Sequence, residues 1–261
     1  MKIAPLTKDS MVGTALNGVF ASIVASGIFA LVTGLFGYYF LADPYELAAS
    51  SVLLPQDIGP ALEDIAKKAT SYSISVRTGR HFRAEILPVL VKQARLKRRR
   101  IKVDVVLLDF RDDVLCDKYA NYRKTSSFDR KSWDTQYVQK EVLATILKIL
   151  EASRENRGLV TIDLYLSKRL STFRIEGSSD EMLVTREDPK DTAARYLKDH
   201  RDFSAYVNEF EWIREEAYRI QPAADGGLPA TLLDMFGADA IVASLGDEAK
   251  KAMNSGSPYA R

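Results

Sequence analysis

The pattern of apolar and polar positions changes abruptly at residue 43. Before it, residues 11–42 read MVGTALNGVFASIVASGIFALVTGLFGYYFLA, and residues 10–42 carry no charge. As a helix, residues 11–41 would extend about 46 Å at ~1.5 Å per residue. One bilayer crossing needs about 20 residues, so one fits with length to spare, and two with a turn between them do not. Phe36, Tyr38, Tyr39 and Phe40 gather at the C-terminal end, where an interfacial aromatic belt belongs, and Asp43 and Pro44 stop the run. The rival reading is a cleaved secretory signal, whose apolar region is usually about 7–15 residues, roughly half this one. The pattern therefore predicts a tail over 1–10, one uncleaved transmembrane helix over 11–42, and a soluble part beyond.

The rest alternates between periods of two and of 3.6. Residues 43–70 read as a linker with a short helix near 57–69. SYSISVR, residues 71–77, has strand residue types, and Thr78-Gly79-Arg80 makes a turn. Residues 81–100 read as a helix with Phe82, Ile86, Leu90 and Val91 on its apolar positions and Pro88 as a kink or a later start. IKVDVVLLDF, residues 101–110, is the clearest strand. This strand–helix–strand spacing predicts a parallel β-α-β unit. Residues 111–133 form an irregular or helical excursion, 135–156 a long amphipathic helix, and 159–167 a third strand. Residues 172–177 and 181–187 form a hairpin. Residues 190–219 read as helical, and the last 40 as one short helix near 229–247 with a flexible tail. The expected architecture is α/β: a mixed, largely parallel sheet flanked by helices over 71–220, with an appendage over 221–261.

Charge sharpens this picture. The net charge of the 261 residues is only +2, yet residues 71–110 hold ten Lys or Arg against three acidic groups. Lys97-Arg98-Arg99-Arg100 closes a predicted helix, where cations suit the dipole. The run is either a solvated helix end or a surface for anionic lipid or a phosphate-rich ligand. Nucleic acid is not expected, because no exposed aromatics interleave with the basic run. A single Cys116 and two histidines, His81 and His200, exclude a disulfide framework and a Cys-based zinc cluster. No cofactor and no resident metal are expected.

One corner stands out. The strand through Arg77 runs into Thr78, Gly79, Arg80 and His81 and then a helix, so backbone N–H groups at a helix start point at a ligand, with Arg83 adding a donor. Asp109 and Arg111 end the next strand and would share the cleft at the carboxyl ends of parallel strands. The bland alternative is a charged loop making ordinary salt bridges. Asp109, Asp112 and Asp113 carry a weaker magnesium reading, and Cys116 is expected to be inert.

In the apolar segment, small residues recur every fourth position: Gly18, Ser22, Ser26, Ala30 and Gly34. Such a row lets membrane helices approach closely, so a homo-oligomer through this helix is expected. Lys2 and Lys8 precede the span, and residues 43–62 contain no Lys or Arg. That count favours an external soluble part. The unpaired thiol fits a reducing compartment, and the cytoplasmic side is retained as the working expectation for a single-pass protein of the cell membrane.

The order of elements from 71 to 217 resembles one half of the phospholipase D-like superfamily: strand, helix, strand ending at Asp109, long helix, strand, hairpin, closing helix. In that family the hairpin carries H-x-K, then an acidic residue and a Ser-x-Asn segment. Here it reads STFRIEGSSDEMLVTRED, residues 171–188. Thr172 stands where the histidine should be, Arg174 where the lysine should be, and Asp180 close to the acidic position. Val184-Thr185-Arg186-Glu187 occupies the Ser-x-Asn stretch, and YVNEFEWIREEA, residues 206–217, resembles the closing helix. The resemblance implies a degenerate half without its nucleophile, since a threonine lacking an adjacent base is a poor substitute. Arg174 keeps the charge and offers a planar donor fork. The expected function is a membrane protein whose α/β part senses a nucleotide or other phosphate-bearing ligand and changes helix association, by analogy with bacterial signalling or antiphage effectors. The alternatives are a tethered phosphodiesterase or phospholipase-like hydrolase with an atypical nucleophile, and a protein-binding scaffold.

Overall fold

The structure, a computed structural model, describes residues 11–41, 45, 48–126, 133–186, 188, 190–224 and 226–256. It divides into two units, Met1–Tyr45 and Glu46–Arg261. The first contains helix α1, Met11–Phe40. Its stretch Gly13–Phe40 has a mean hydropathy of 2.2 and none of it is buried inside the protein, and it is long and apolar enough to cross a membrane. It is apolar all round, as a lipid-facing helix must be. Gly18, Ser22, Ser26, Ala30 and Gly34 all fall within it. The tail over 1–10 lies outside the described residues.

The second unit is built on one eight-stranded sheet. Its strands are β1 Ser50–Leu53, β2 Ser71–Ser75, β3 Ile101–Leu108, β4 Val160–Ser167, β5 Phe173–Ser178, β6 Glu181–Arg186, β7 Ala193–Leu197 and β8 Tyr218–Arg219. The helices are α2 Pro55–Lys68, α3 Leu87–Lys97, α4 Asp113–Ser126, α5 Thr135–Glu155, α6 Arg201–Glu216, α7 Leu232–Phe236 and α8 Ala240–Ala252. The sheet order is β1-β7-β6-β5-β2-β3-β4-β8. The mixed α/β class is as expected, but "largely parallel" needs correction. Only β2–β3 and β3–β4 run parallel. The pairs β1–β7, β7–β6, β6–β5, β5–β2 and β4–β8 are antiparallel. The physical reason is connection length. A parallel pair needs a crossover, which α3 and then α4 and α5 supply, whereas the short turn between β5 and β6 joins antiparallel neighbours.

Val103, Val105 and Leu107 of β3 face a core shared with Ile65 of α2, Leu90 of α3, Ile146 of α5 and Ala249 of α8. Val106 faces the other way, with Ile175, Met182 and the α6 residues Phe210 and Ile213. The central strand is thus covered on both faces, which explains its unbroken apolar run.

Two other expectations are corrected. Residues 190–219 are not one helix: Ala193–Leu197 pairs with β6 and with β1, and the pairing overrides a helix-compatible composition. α6 begins only after His200, whose Nδ1 accepts from the Asp202 N–H at 3.1 Å. The described part of the last 40 residues holds two helices, because Thr231 and Asp234 form a capping box on α7 and Asp239 caps α8. The predicted linker also contains β1, and residues 257–261 of the predicted tail lie outside the described residues.

The loop after β2 is the strained part. Gly79 sits at φ +68°, and a Cβ there would lie 2.8 Å from Thr145 Cγ2 and 3.1 Å from Leu107 Cδ2. The turn therefore needs glycine for both its backbone and its fit against α5. Behind it, Phe82–Ile86 is a π turn, and the Leu87 N–H reaches back to the Phe82 carbonyl. That wider turn lets Pro88 fall at the start of α3 instead of breaking its ladder. Gly79→Ala is expected to destabilise the fold by about 3 kcal/mol. Urea unfolding of the full chain in detergent, followed by near-ultraviolet circular dichroism, measures this.

Candidate anion-binding pocket

The carboxyl ends of β2 and β3 lie at one edge of the sheet, beside the start of β5. There Val76, Arg77, Thr78, Gly79, Arg80 and His81 line a cavity of about 30 Å³ together with Tyr119, Arg123, Trp133 and Arg174. The volume suits a water cluster or a single small oxyanion group, not a base or a sugar. Four guanidinium groups meet here from three places in the chain: the loop after β2, α4 and β5.

Each is positioned by a different contact. Arg77, almost fully buried, donates through Nη1 to the Phe173 carbonyl, which ties the loop to β5. Arg80 donates to the Tyr137 hydroxyl and places Nε 3.2 Å from Glu141 Oε2. Arg123 stacks over Trp133, with its guanidinium carbon 4.6 Å from the ring centroid. Trp133 in turn stands edge-on to Tyr119 and Tyr137. Arg174 Nη2 lies 3.3 Å from Glu176 Oε1. Glu141 and Glu176 stand behind the arginines and do not line the cavity. The cavity wall is therefore cationic, and an anion in it would meet planar donor forks.

Of the residues singled out in the sequence, Thr78, Gly79, Arg80, His81 and Arg174 come together at this cavity. Arg83 does not: it is fully buried behind the loop. It donates to the Glu141 carbonyl and carboxylate, to Thr145 Oγ1 and to the Ala252 carbonyl. Asp109 and Arg111 do not line it either. They satisfy each other in a bidentate pair of 2.8 and 2.9 Å, with the Arg111 guanidinium over the Tyr218 ring. Thr78 engages α5 through its carbonyl, which accepts from Thr145 Oγ1 at 2.6 Å. Thr172 is exposed at the start of β5.

Asp112 accepts from the Leu115 N–H at the start of α4, and Asp113 accepts from Gln139. Among the described residues no group of three or more His, Cys, Asp or Glu could hold a metal ion. Burial, with Asp113, Asp109 and Asp112 nearby, pushes the Cys116 thiol up to about 12, so it is an inert core residue. Arg77 was the residue missed by sequence reading. Its place at a strand end leaves its direction undefined until the loop is folded. In the sequence, Tyr119 and Arg123 read as either lining a pocket or packing the excursion, and Trp133 as a core or rim anchor; all three line the cavity.

No family model matches the chain, and no curated protein matches its sequence. Among solved structures, the chain is similar to TrmBL2, an archaeal chromatin protein reported with a novel mode of DNA binding. The identity is 12%, over 80% of this chain and 68% of that one, with a TM-score of 0.41. It is also similar to Nuc, a phospholipase D family member from Salmonella typhimurium. There the identity is 11%, over 66% of this chain and 97% of that one, with a TM-score of 0.38.

His81 carries the pH dependence of the pocket. Burial, and then the charge of Arg174, pull its pKa down to about 4. The folded state thus keeps the imidazole neutral while the unfolded chain takes up a proton below about 6.5. The contribution of His81 to stability is full above pH 6.5 and is lost as pH falls toward 4, by on the order of 3 kcal/mol. Unfolding measured at pH 7 and pH 4.5 is expected to show this loss, and His81→Gln is expected to remove most of the difference.

Proposed function

We propose that the chain is a single-pass membrane protein whose α/β unit binds a phosphate-bearing ligand in the arginine pocket. The observation that carries this reading is the convergence of Arg77, Arg80, Arg123 and Arg174 on one small cavity. Its place at the carboxyl ends of parallel strands, where α/β sheets bind ligands, adds support. A cavity of this size takes only the phosphate group of a larger molecule, the remainder lying outside. The reading includes a degenerate phospholipase D-like half, supported by the order of its elements and by Arg174 in the lysine position. Thr172 is exposed and does not line the cavity, so it supplies no nucleophile there, and the pocket binds and does not cleave. Binding draws the loop after β2, α4 and β5 onto one ligand and alters association of α1 through its row of small residues. Such a device suits a bacterial signalling or antiphage effector with its α/β unit in the cytoplasm.

A second reading, phosphodiester hydrolysis, is favoured by one observation: a neutral His81 lines the same cavity as Arg174. Both readings are tested on the full chain in nanodiscs. The chain is titrated with inorganic phosphate, a mononucleotide, a cyclic dinucleotide and glycerol phosphate, and turnover of an aryl phosphodiester is assayed in parallel. The expected result is binding of at least one phosphate compound, weakened at least tenfold in Arg174→Gln when measured at a temperature where that variant is folded. A folded chain that binds none of the panel overturns the proposal. Turnover lost in His81→Gln with binding retained would establish the second reading over the first. Ligand-dependent crosslinking of α1, weakened by Gly34→Ile, checks the coupling.

A further inference from the structure

The basic run that closes α3 lies at the other end of the sheet from the pocket. Lys97-Arg98-Arg99-Arg100 leads directly into β3, whose Ile101 pairs with the first residue of β4 and whose Lys102 pairs with the first residue of β2. α2 ends at the same edge with Lys67 and Lys68. Lys97 Nζ donates to the Lys67 carbonyl at 2.7 Å, and Arg99 Nη2 donates to the carbonyls of Lys68 and Ala69 at 3.0 and 2.8 Å. The two helix ends are thus stapled into one basic corner. Glu63 and Asp64 pair with Lys67 and Lys68. Arg98 and Arg100 remain exposed beside Leu96, which is 67% exposed.

The chain also enters the unit from this edge. Four successive antiparallel pairings separate β1 from β2, so both run the same way, from the basic edge toward the pocket edge. The residues before Ser50 therefore approach from the basic side, where the Ala49 carbonyl accepts from the Leu197 N–H. From Phe40 to Ser50 is about ten residues, which span at most about 35 Å in any conformation.

We infer that this edge rests on the surface of an anionic bilayer, with Arg98 and Arg100 at the headgroups and Leu96 dipping into the interface. β3, eight residues long, sets the two edges about 26 Å apart. The arginine pocket then faces away from the membrane, beyond the reach of its surface potential, and takes its ligand from solution. The inference rests on the proposal that α1 crosses the bilayer.

The test places a fluorescent probe on Leu96→Cys in the full chain, in nanodiscs of phosphatidylcholine alone or mixed with phosphatidylglycerol and carrying a lipid-borne quencher. The native Cys116 is buried and does not compete for the label. A probe on Thr172→Cys, exposed at the pocket edge, is the reference. The Leu96→Cys probe is expected to be quenched in the anionic discs, less so at high salt, while the Thr172→Cys probe is not. Arg98→Gln with Arg100→Gln, which leaves the stapling Lys97 and Arg99 in place, is expected to lower the docking equilibrium roughly thirtyfold. Equal quenching of the Leu96→Cys probe in both lipids, or quenching that survives the double substitution, overturns the docking. So does quenching of the Thr172→Cys probe alone. A chain that fails to enter the discs overturns anchor and docking together, whereas insertion with a silent Leu96→Cys probe overturns the docking only.

Discussion

The carboxylate of Glu141 is the constraint on which the pocket depends. It lies 2.6 Å from Arg83 Nη2 and 3.2 Å from Arg80 Nε, and its side chain is almost fully buried. One turn along α5, Thr145 takes a second bond from Arg83 and donates to the Thr78 carbonyl. α5 thus grips both ends of the loop after β2, and Gly79 is wedged against it between them. Buried charges are retained where hydrogen bonds and an opposite charge compensate them, and the two terminal nitrogens of Arg83 make four acceptor contacts, one of them to the Glu141 carboxylate. The π turn that begins at Phe82 is the backbone's adjustment to this grip.

This clamp explains why Arg80 and Arg83, only three residues apart, do different jobs. Both contact Glu141. Arg83 points inward and spends its donors on α5 and α8, whereas Arg80 lies at the cavity wall with Tyr137 as its outer partner. The close fit of Gly79 against Thr145 fixes the register of the loop, and with it which arginine stands at the cavity wall.

Much of this was legible in the residues. An unbroken uncharged run fixed α1, and the apolar run of residues 101–110 fixed β3, which is packed on both faces of the sheet. Thr78, Gly79, Arg80 and His81 were found from a strand–turn–helix pattern, and Arg174 from the spacing of a family motif. Arg83 was misplaced because helical periodicity gives a direction for an ideal helix, and the π turn rotates it. Arg77 was not assigned to the site, and Arg123 was read as either lining a pocket or packing the excursion, since nothing local states that α4 and the β2 loop share a wall. β7 was hidden because AARYL suits a helix as well as a strand, and only its two strand neighbours decide. The same non-local pairing made the sheet mostly antiparallel.

The +7 of residues 71–110 now resolves into two separate fields. Arg77 and Arg80 contribute to the pocket, and Lys97 to Arg100 stand at the far end of β3, more than two screening lengths away at physiological salt. Neither cluster therefore strengthens anion binding at the other through water, and each is available for its own partner. The carboxylates follow the same division. Glu141 and Glu176 back the pocket arginines, while Glu63 and Asp64 trim the charge of α2 at the opposite edge. On the proposed reading, one edge serves a membrane surface and the other a soluble phosphate compound, and the separation keeps the two fields from competing for the same anion.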